Sequence, residues 1–397
     1  LYYNADFSTV NSRVLMFTKH PKFVHKIYDF SRRHSFYHPA HHFAQFPRLS
    51  FRENIAEKEV VLWKLPCYTV QSHTDFLQTG GLAMAREKQL HTIEMTTGSL
   101  WKNILLFSLP LMLTQVLEVL FNLSDVAIAG KFADYLALGA VGSTTLLVSL
   151  FTGLLIGIGS GVNVAVARGL GLQDSEQVEK TVHTSFLICA AAGIIMLLIC
   201  NLLARPMLAL LNTKDELIDG ATLYLKIYAF GMPAMALYNF GNGVLSATGD
   251  TKRPLLYLSL SGVLNVILNL FFVIKCHMAA DGVATASVIA QWLSALLIVL
   301  HLVRRQDECR LEWRKLRFHM QASRRVLSIG IPTGLQNAIF AIANLFVQVG
   351  VNSFDAVMVS GNSAAANADT LIFNMMAAFY TACATFGSRN WGAGNND

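Results

Sequence analysis

From Ile104 onward the sequence falls into apolar blocks about 20 residues long, separated by short connections. At 1.5 Å per residue, a helix of about 20 residues matches the ~30 Å hydrocarbon layer of a bilayer. Lipid offers no partner to backbone N–H and C=O groups, so a block of this kind has to form a helix there. Composition agrees: 53% of the 397 residues are hydrophobic and 14% are charged, against roughly 25% charged in an average soluble domain. Mean hydropathy is +0.44. The blocks read as spans 104–129, 138–166, 182–204, 221–246, 255–275, 281–303, 325–351 and 369–388. The sequence therefore predicts an all-α polytopic membrane protein.

The net charge is +6, but the basic residues sit in the gaps between spans and form no stripe that a nucleic acid could follow, so no nucleic-acid partner is expected. Alternate gaps differ sharply. One set holds Arg168, Lys180, Lys252, Arg253, Arg304, Arg305, Arg310, Arg314, Lys315, Arg317, Arg324 and Arg325; the other holds Lys131, Arg205, Lys214 and Lys275. The positive-inside rule places the first set, and the N-terminus with it, in the cytoplasm. Six cysteines without a CxxC pair indicate neither a disulfide framework nor a zinc site.

Residues 1 to about 90 differ in character. Seven of the twelve histidines precede Met84, no run is long enough to span, and the start is not that of a secretory signal. The His38–His42 cluster reads as part of a solvated, disordered segment, without further ligands at metal-binding spacing. Met84 reads as a natural initiator, with 1–83 as translated upstream sequence. An internal repeat follows. LLFSLPLMLTQ (105–115) answers LSIGIPTGLQN (327–337), pairing Pro110 with Pro332 and Asn122 with Asn344, and GLGLQD (169–174) answers GAGNND (392–397). The chain is thus expected to carry a segment 1–95, a six-helix lobe 96–313, and the first two helices of a second lobe in 314–397, too few for transport on its own.

The first span carries Gln115, Glu118, Asn122 and Asp125 at spacings of 3, 4 and 3, which align on one helical face. A carboxylate at membrane depth costs about 2.5–3.5 kcal/mol on insertion scales and normally faces a cavity. Other spans add Tyr238, Asn239 and Asn242, then Ser261, Asn265 and Asn269, then Thr285 and Gln291, then Gln336, Asn344 and Gln348. These sets around one carboxylate suggest a hydrated lumen, lined by Gln115, Glu118, Asn122, Asn239, Asn242, Gln336, Asn344 and Gln348. Gly153, Gly157 and Gly161, four apart, suggest close helix packing. No GxxxxGK[ST] motif occurs, so an ion gradient is the expected energy source. His183 and His301 stand singly at span edges, read as interfacial anchors, and no catalytic pair or metal site is visible. An enzyme is not expected.

These segments resemble the multidrug and toxic compound extrusion (MATE) transporters, particularly their DinF-like branch, over about 96–397. The resemblance rests on SLPLMLTQVLEVLFNLSDVAIAG, VAVARGLGLQD, LSATGDTKRP, NVILN, GVATASVIAQ and IGIPTGLQN. It implies a MATE-like two-lobed bundle of twelve spans, here a complete N-lobe plus the first two C-lobe helices. It further implies cation-coupled export of small, often cationic organic compounds from a bacterial inner membrane by a lipid-embedded monomer, with H⁺ or Na⁺ and no other cofactor. Matched by position, the family's cation site falls on Asp125, Asn265, Asn269 and Thr285. Asn269 stands where relatives carry a second acid, and Phe121 where a Tyr is frequent. The alternative is a lipid-linked saccharide flippase of related fold, which the acidic, amide-rich lumen disfavours because its cargo is anionic.

Overall fold

Each apolar block is helical in the computed structural model, which describes residues 93–395 apart from 134, 212 and 352–355, and leaves aside the side chains of Leu345, Gln348, Val349 and most of 356–371. The expectations for the N-terminal segment and its histidines fall outside the described residues. Helix α1 runs Leu100–Phe132, α2 Tyr135–Gly171 and α3 Ser175–Leu210, the last capped by Asp174, whose carboxylate accepts from the Gln177 N–H at 3.0 Å. Helices α4 (Asp215–Ala229) and α5 (Met232–Ala247) follow, then α6 (Lys252–Leu270) with a π turn over Phe271–Lys275, and α7 (Ala280–Arg304). Helix α8 spans Met320–Val351 and α9 Ala356–Ala393. Among the described residues, six helices are long and apolar enough to cross a membrane: α1, α2, α3, α6 with its π turn, α7 and α8.

The fourth expected span is not one helix. Pro233 lacks an N–H, so the ladder fails at Phe230–Gly231 and the segment divides into α4 and α5, of 15 and 16 residues. The Phe230 carbonyl released at the break accepts from the Trp292 indole of α7 at 3.0 Å. This satisfies one of the groups a broken helix would otherwise leave bare in an apolar layer.

The repeat in the sequence is a repeat in space. Helices α2 and α9 end 222 residues apart, at Gly171 and Ala393. Asn163 of α2 and Thr385 of α9 are separated by the same 222 residues and bond to each other, Thr385 Oγ1 donating to Asn163 Oδ1 at 2.8 Å. The sequence repeat runs at an offset of 223 just beyond, at 169 and 392, so these positions are equivalent to within one residue, and contact between such positions is what a pseudo-twofold axis requires. The packing partners also exchange as the axis demands, with α2 on α8 and α1 on α9. Glycines make the first of these contacts possible: Gly157 and Gly161 pack against the backbone of Gly330 and Gly334, where an added Cβ would lie 2.2–2.9 Å from backbone atoms.

At the basic end of the bundle, the segment joining α7 to α8 folds back on α3. His183 is buried rather than interfacial, correcting the expectation: Nδ1 bonds the Glu179 carbonyl at 2.7 Å, and Nε2 accepts from the Glu312 N–H at 3.1 Å. The Thr184 hydroxyl accepts from the His319 N–H at 3.2 Å. Arg305 forms a two-pronged pair with Asp307, while Cys309 and Leu311 of the same strap are buried. His301, at the end of α7, lies 3.3 Å from an Arg253 guanidinium nitrogen.

Candidate functional site

Asp125 lies seven residues before the end of α1 and is buried. Asn265 and Asn269, one turn apart on α6, share a face and point at it. The Asn269 amide donates to Asp125 Oδ1 at 2.5 Å and to Asn265 Oδ1 at 3.2 Å. Asn265 Nδ2 donates to Ser287 Oγ of α7 at 3.2 Å, and Ser287 donates to Asp125 Oδ2 at 3.0 Å. Four side chains from three helices thus close a ring. Both carboxylate oxygens of Asp125 take part in the ring. The Asn269 Oδ1, itself buried, has no partner.

Asp125, Asn265 and Ser287 of the ring line one wall of a cavity of about 320 Å³ bounded by α1, α2, α4, α5, α6 and α7. Phe121, Tyr224, Tyr228 and Tyr238 give it an aromatic lining, with Tyr224 and Tyr228 stacked at 5.9 Å. Phe121 reaches α6 because position 262 is glycine: a Cβ there would stand 1.9 Å from the ring. Glu118 and Asp125 are the carboxylates of the lining, and no Lys, Arg or His joins them. A second cavity of about 70 Å³ lies between α1, α2, α5 and α9, and Glu118, Ile156 and Asn239 line both spaces.

The expected site residues separate into groups. Asp125, Asn265 and Asn269 come together. Thr285 does not join them; its hydroxyl donates to the Asp281 carbonyl at 2.8 Å within α7, and Ser287 takes the place in the ring. Asn122 lines the large cavity, Gln115 and Asn242 the small one, and Glu118 and Asn239 both. On α8, Gln336 and Asn344 are exposed and line neither space, and the side chain of Gln348 is outside the described residues. Their neighbour Asn337 is the one turned inward, its amide donating to the Gly153 carbonyl at 3.1 Å. Sequence reasoning passed over Ser287, though Ser287, Gln291 and Ser294 form a polar stripe at spacings of 4 and 3. The Tyr224 and Tyr228 pair was also missed, at a spacing that fits ordinary helix packing equally well.

A family model described as MatE matches residues 110–271, which include Asp125, Asn265 and Asn269. Over that stretch the chain is similar to the MATE family. The probable multidrug resistance protein YpnP of Bacillus subtilis (strain 168) is 26% identical over 302 residues, 76% of this chain and 67% of YpnP. The probable multidrug resistance protein NorM of Thermotoga maritima is 22% identical over 305 residues, 75% of this chain and 64% of NorM. This chain therefore spans about two thirds of the length of these relatives. An outward-facing structure of a multidrug resistance MATE family transporter superposes with a TM-score of 0.71 at 22% identity, over 77% of this chain and 68% of that one. The expected all-helical MATE-like bundle is thus the observed one, with six helices among the described residues long and apolar enough to cross a membrane. Ser287 lies beyond the MatE match, so the ring extends past its limit.

Proposed function

We propose that the protein exports amphipathic organic compounds, cations among them, in exchange for H⁺ or Na⁺. The observation that carries this reading is a closed ring around one acid set in the wall of a drug-sized aromatic cavity. A volume of about 320 Å³ is at the lower end of ordinary small-molecule pockets, roughly 300–1,000 Å³. Aromatic faces and two acids with no base favour an apolar body carrying positive charge. The names of the YpnP and NorM relatives support drugs as the cargo.

The ring supplies the other half of an exchange. Asp125 can take a proton if Ser287 rotates its hydroxyl to accept, or if Asn269 turns its unpartnered oxygen inward. With Asp125, Asn265 and Ser287, that same oxygen offers a set of hard donors suited to Na⁺. Loading removes an uncompensated charge from a poorly solvated wall and allows the helices around it to repack. Because coupling between two ligands is reciprocal, a cation that favours the cargo-releasing state weakens cargo affinity by the same factor.

The test is transport by the full-length protein in inverted vesicles under separate pH and sodium gradients. One proton exchanged per monovalent cation across one pH unit should sustain about a tenfold cargo gradient, since that unit is worth about 1.4 kcal/mol. Accumulation that ignores both gradients would refute the exchange.

The same reading places the N-terminus and the basic end of the bundle in the cytoplasm. Cys276, exposed after the π turn, then faces outside, whereas Cys309 lies buried in the strap at the cytoplasmic end. Burial pushes the Cys309 thiol up to about 12, leaving almost no thiolate to react at neutral pH. A membrane-impermeant maleimide should label Cys276 in intact cells and Cys309 only after denaturation. Cys276 that stays unlabelled in intact cells but reacts in inverted vesicles would invert the topology.

A further inference from the structure

We infer that Glu118 carries the coupling cation between the Asp125 ring and the basic end of the bundle, by a route the cargo cannot follow. The inference deepens the exchange reading and rests on it. Glu118 stands seven residues before Asp125 on α1, about 10 Å along the axis at 1.5 Å per residue. It lies where the two cavities meet.

The two spaces differ in what they can hold. The larger takes a small organic molecule. The smaller, about 70 Å³, has room for a few waters at about 30 Å³ each, or an ion with part of its shell, and for no drug-sized body. It runs along α1 towards Thr114, along α2 towards Asn163 and along α5 towards Ser246, in each case in the direction of the Lys- and Arg-rich connections. Its lining is rich in amides and hydroxyls, including Gln115, Asn242 and Ser160. At its far end, Asn163 is held between the Gly243 carbonyl and Thr385, on the pseudo-twofold axis.

Electrostatics places the cation at Glu118. The titratable groups lining the two spaces are Glu118, Asp125 and the phenols of Tyr224, Tyr228 and Tyr238, with no basic side chain. A proton or sodium ion leaving Asp125 for the basic end meets one further carboxylate, at the mouth of a space that excludes cargo. Glu118 thus separates two pathways by size: cargo stays in the aromatic chamber while the cation passes the neck.

The test uses full-length protein in proteoliposomes. Cargo-driven cation flux is followed with an internal pH dye in one arm and with radioactive sodium in the other. Cargo exchange without net cation movement and equilibrium cargo affinity are measured in parallel. Glu118→Gln should lower cargo-driven cation flux at least tenfold, and by several-fold more than it lowers cargo exchange or affinity, and Glu118→Asp should recover part of the flux. Asn242→Leu, which puts an apolar side chain into the small cavity without touching charge, should slow flux similarly and carries the test if Glu118→Gln fails to fold. Wild-type flux in Asn242→Leu or Glu118→Gln would overturn the inference. So would a tenfold loss of cargo affinity in Glu118→Gln with flux falling in proportion, which would make Glu118 the counter-ion of the cargo. If the wild-type protein moves neither cation, the exchange reading itself fails, a result distinct from both.

Discussion

Replacing Asp125 by Asn in the full-length protein is expected to leave expression and membrane content unchanged and to lower gradient-driven export at least tenfold. The amide keeps the shape of the carboxyl. Its oxygen still accepts from Asn269, and its NH₂ can donate to Ser287 once that hydroxyl rotates, so the ring closes as before. Folding should not suffer, since a neutral amide is less costly at membrane depth than a carboxylate. What is lost is the charge that a proton or sodium ion would cancel. Cargo should still bind, but with an affinity that no longer responds to pH or sodium. Asn269→Asp acts in the opposite sense. It sets a second carboxyl where the Asn269 nitrogen now lies, 2.5 Å from Asp125 Oδ1. Two carboxylates that close cannot both remain ionised without a cation between them, so export should shift towards sodium dependence. Uptake of a fluorescent cation into inverted vesicles reads both variants. Wild-type export by Asp125→Asn under either gradient would make Asp125 a bystander and remove the basis of the exchange.

The parts of this structure legible in the sequence are those set by spacing along one chain. The α1 stripe, the Asn265 and Asn269 pair, the Gly157 and Gly161 seam and the 222-residue repeat are all periodicities, and each reappears as a face, a ring, a close contact or an axis. What was not legible depends on how two helices meet. Periodicity puts Thr285 and Ser287 at different angles on α7, but only the packing of α7 against α6 decides which of them faces Asn265. On α8 the amides at 336 and 337 are adjacent, and the glycine seam selects Asn337 for the interior. The broken fourth span could have been read from Gly231 and Pro233, because a proline two residues past a glycine interrupts a ladder that hydropathy alone draws as continuous. His183 looked like an interfacial residue because its two partners, a carbonyl one turn earlier and an N–H 129 residues away, leave no local pattern.

Gly157→Val should be among the most damaging single substitutions outside the ring. A Cβ at 157 would lie 2.2 Å from the Gly334 nitrogen, 2.3 Å from its Cα and 2.9 Å from the Gly330 carbonyl oxygen. These are backbone atoms of a helix, which cannot move aside as a side-chain tip can. Either α2 and α8 separate or one of them bends, and overpacking of this kind costs about 1–3 kcal/mol or more. No hydrophobic effect pulls helices back together in lipid, so the dispersion attraction given up along the seam is not recovered elsewhere. The damage should reach the axis, because Gly157 and Asn163 lie on the same helix less than two turns apart. A pair of cysteines at 163 and 385, in a background without other cysteines, should cross-link readily with glycine at 157 and poorly with valine. The unfolding midpoint in detergent should fall by a few degrees, at roughly 1 °C per kcal/mol for a chain of this length. Gly142→Ala is the control: it lies on the same helix, and a Cβ there meets nothing within 4 Å. Equal cross-linking and equal midpoints for Gly157→Val and Gly142→Ala would show that α2 and α8 do not meet along this seam, and with it the axis between the repeats would be lost.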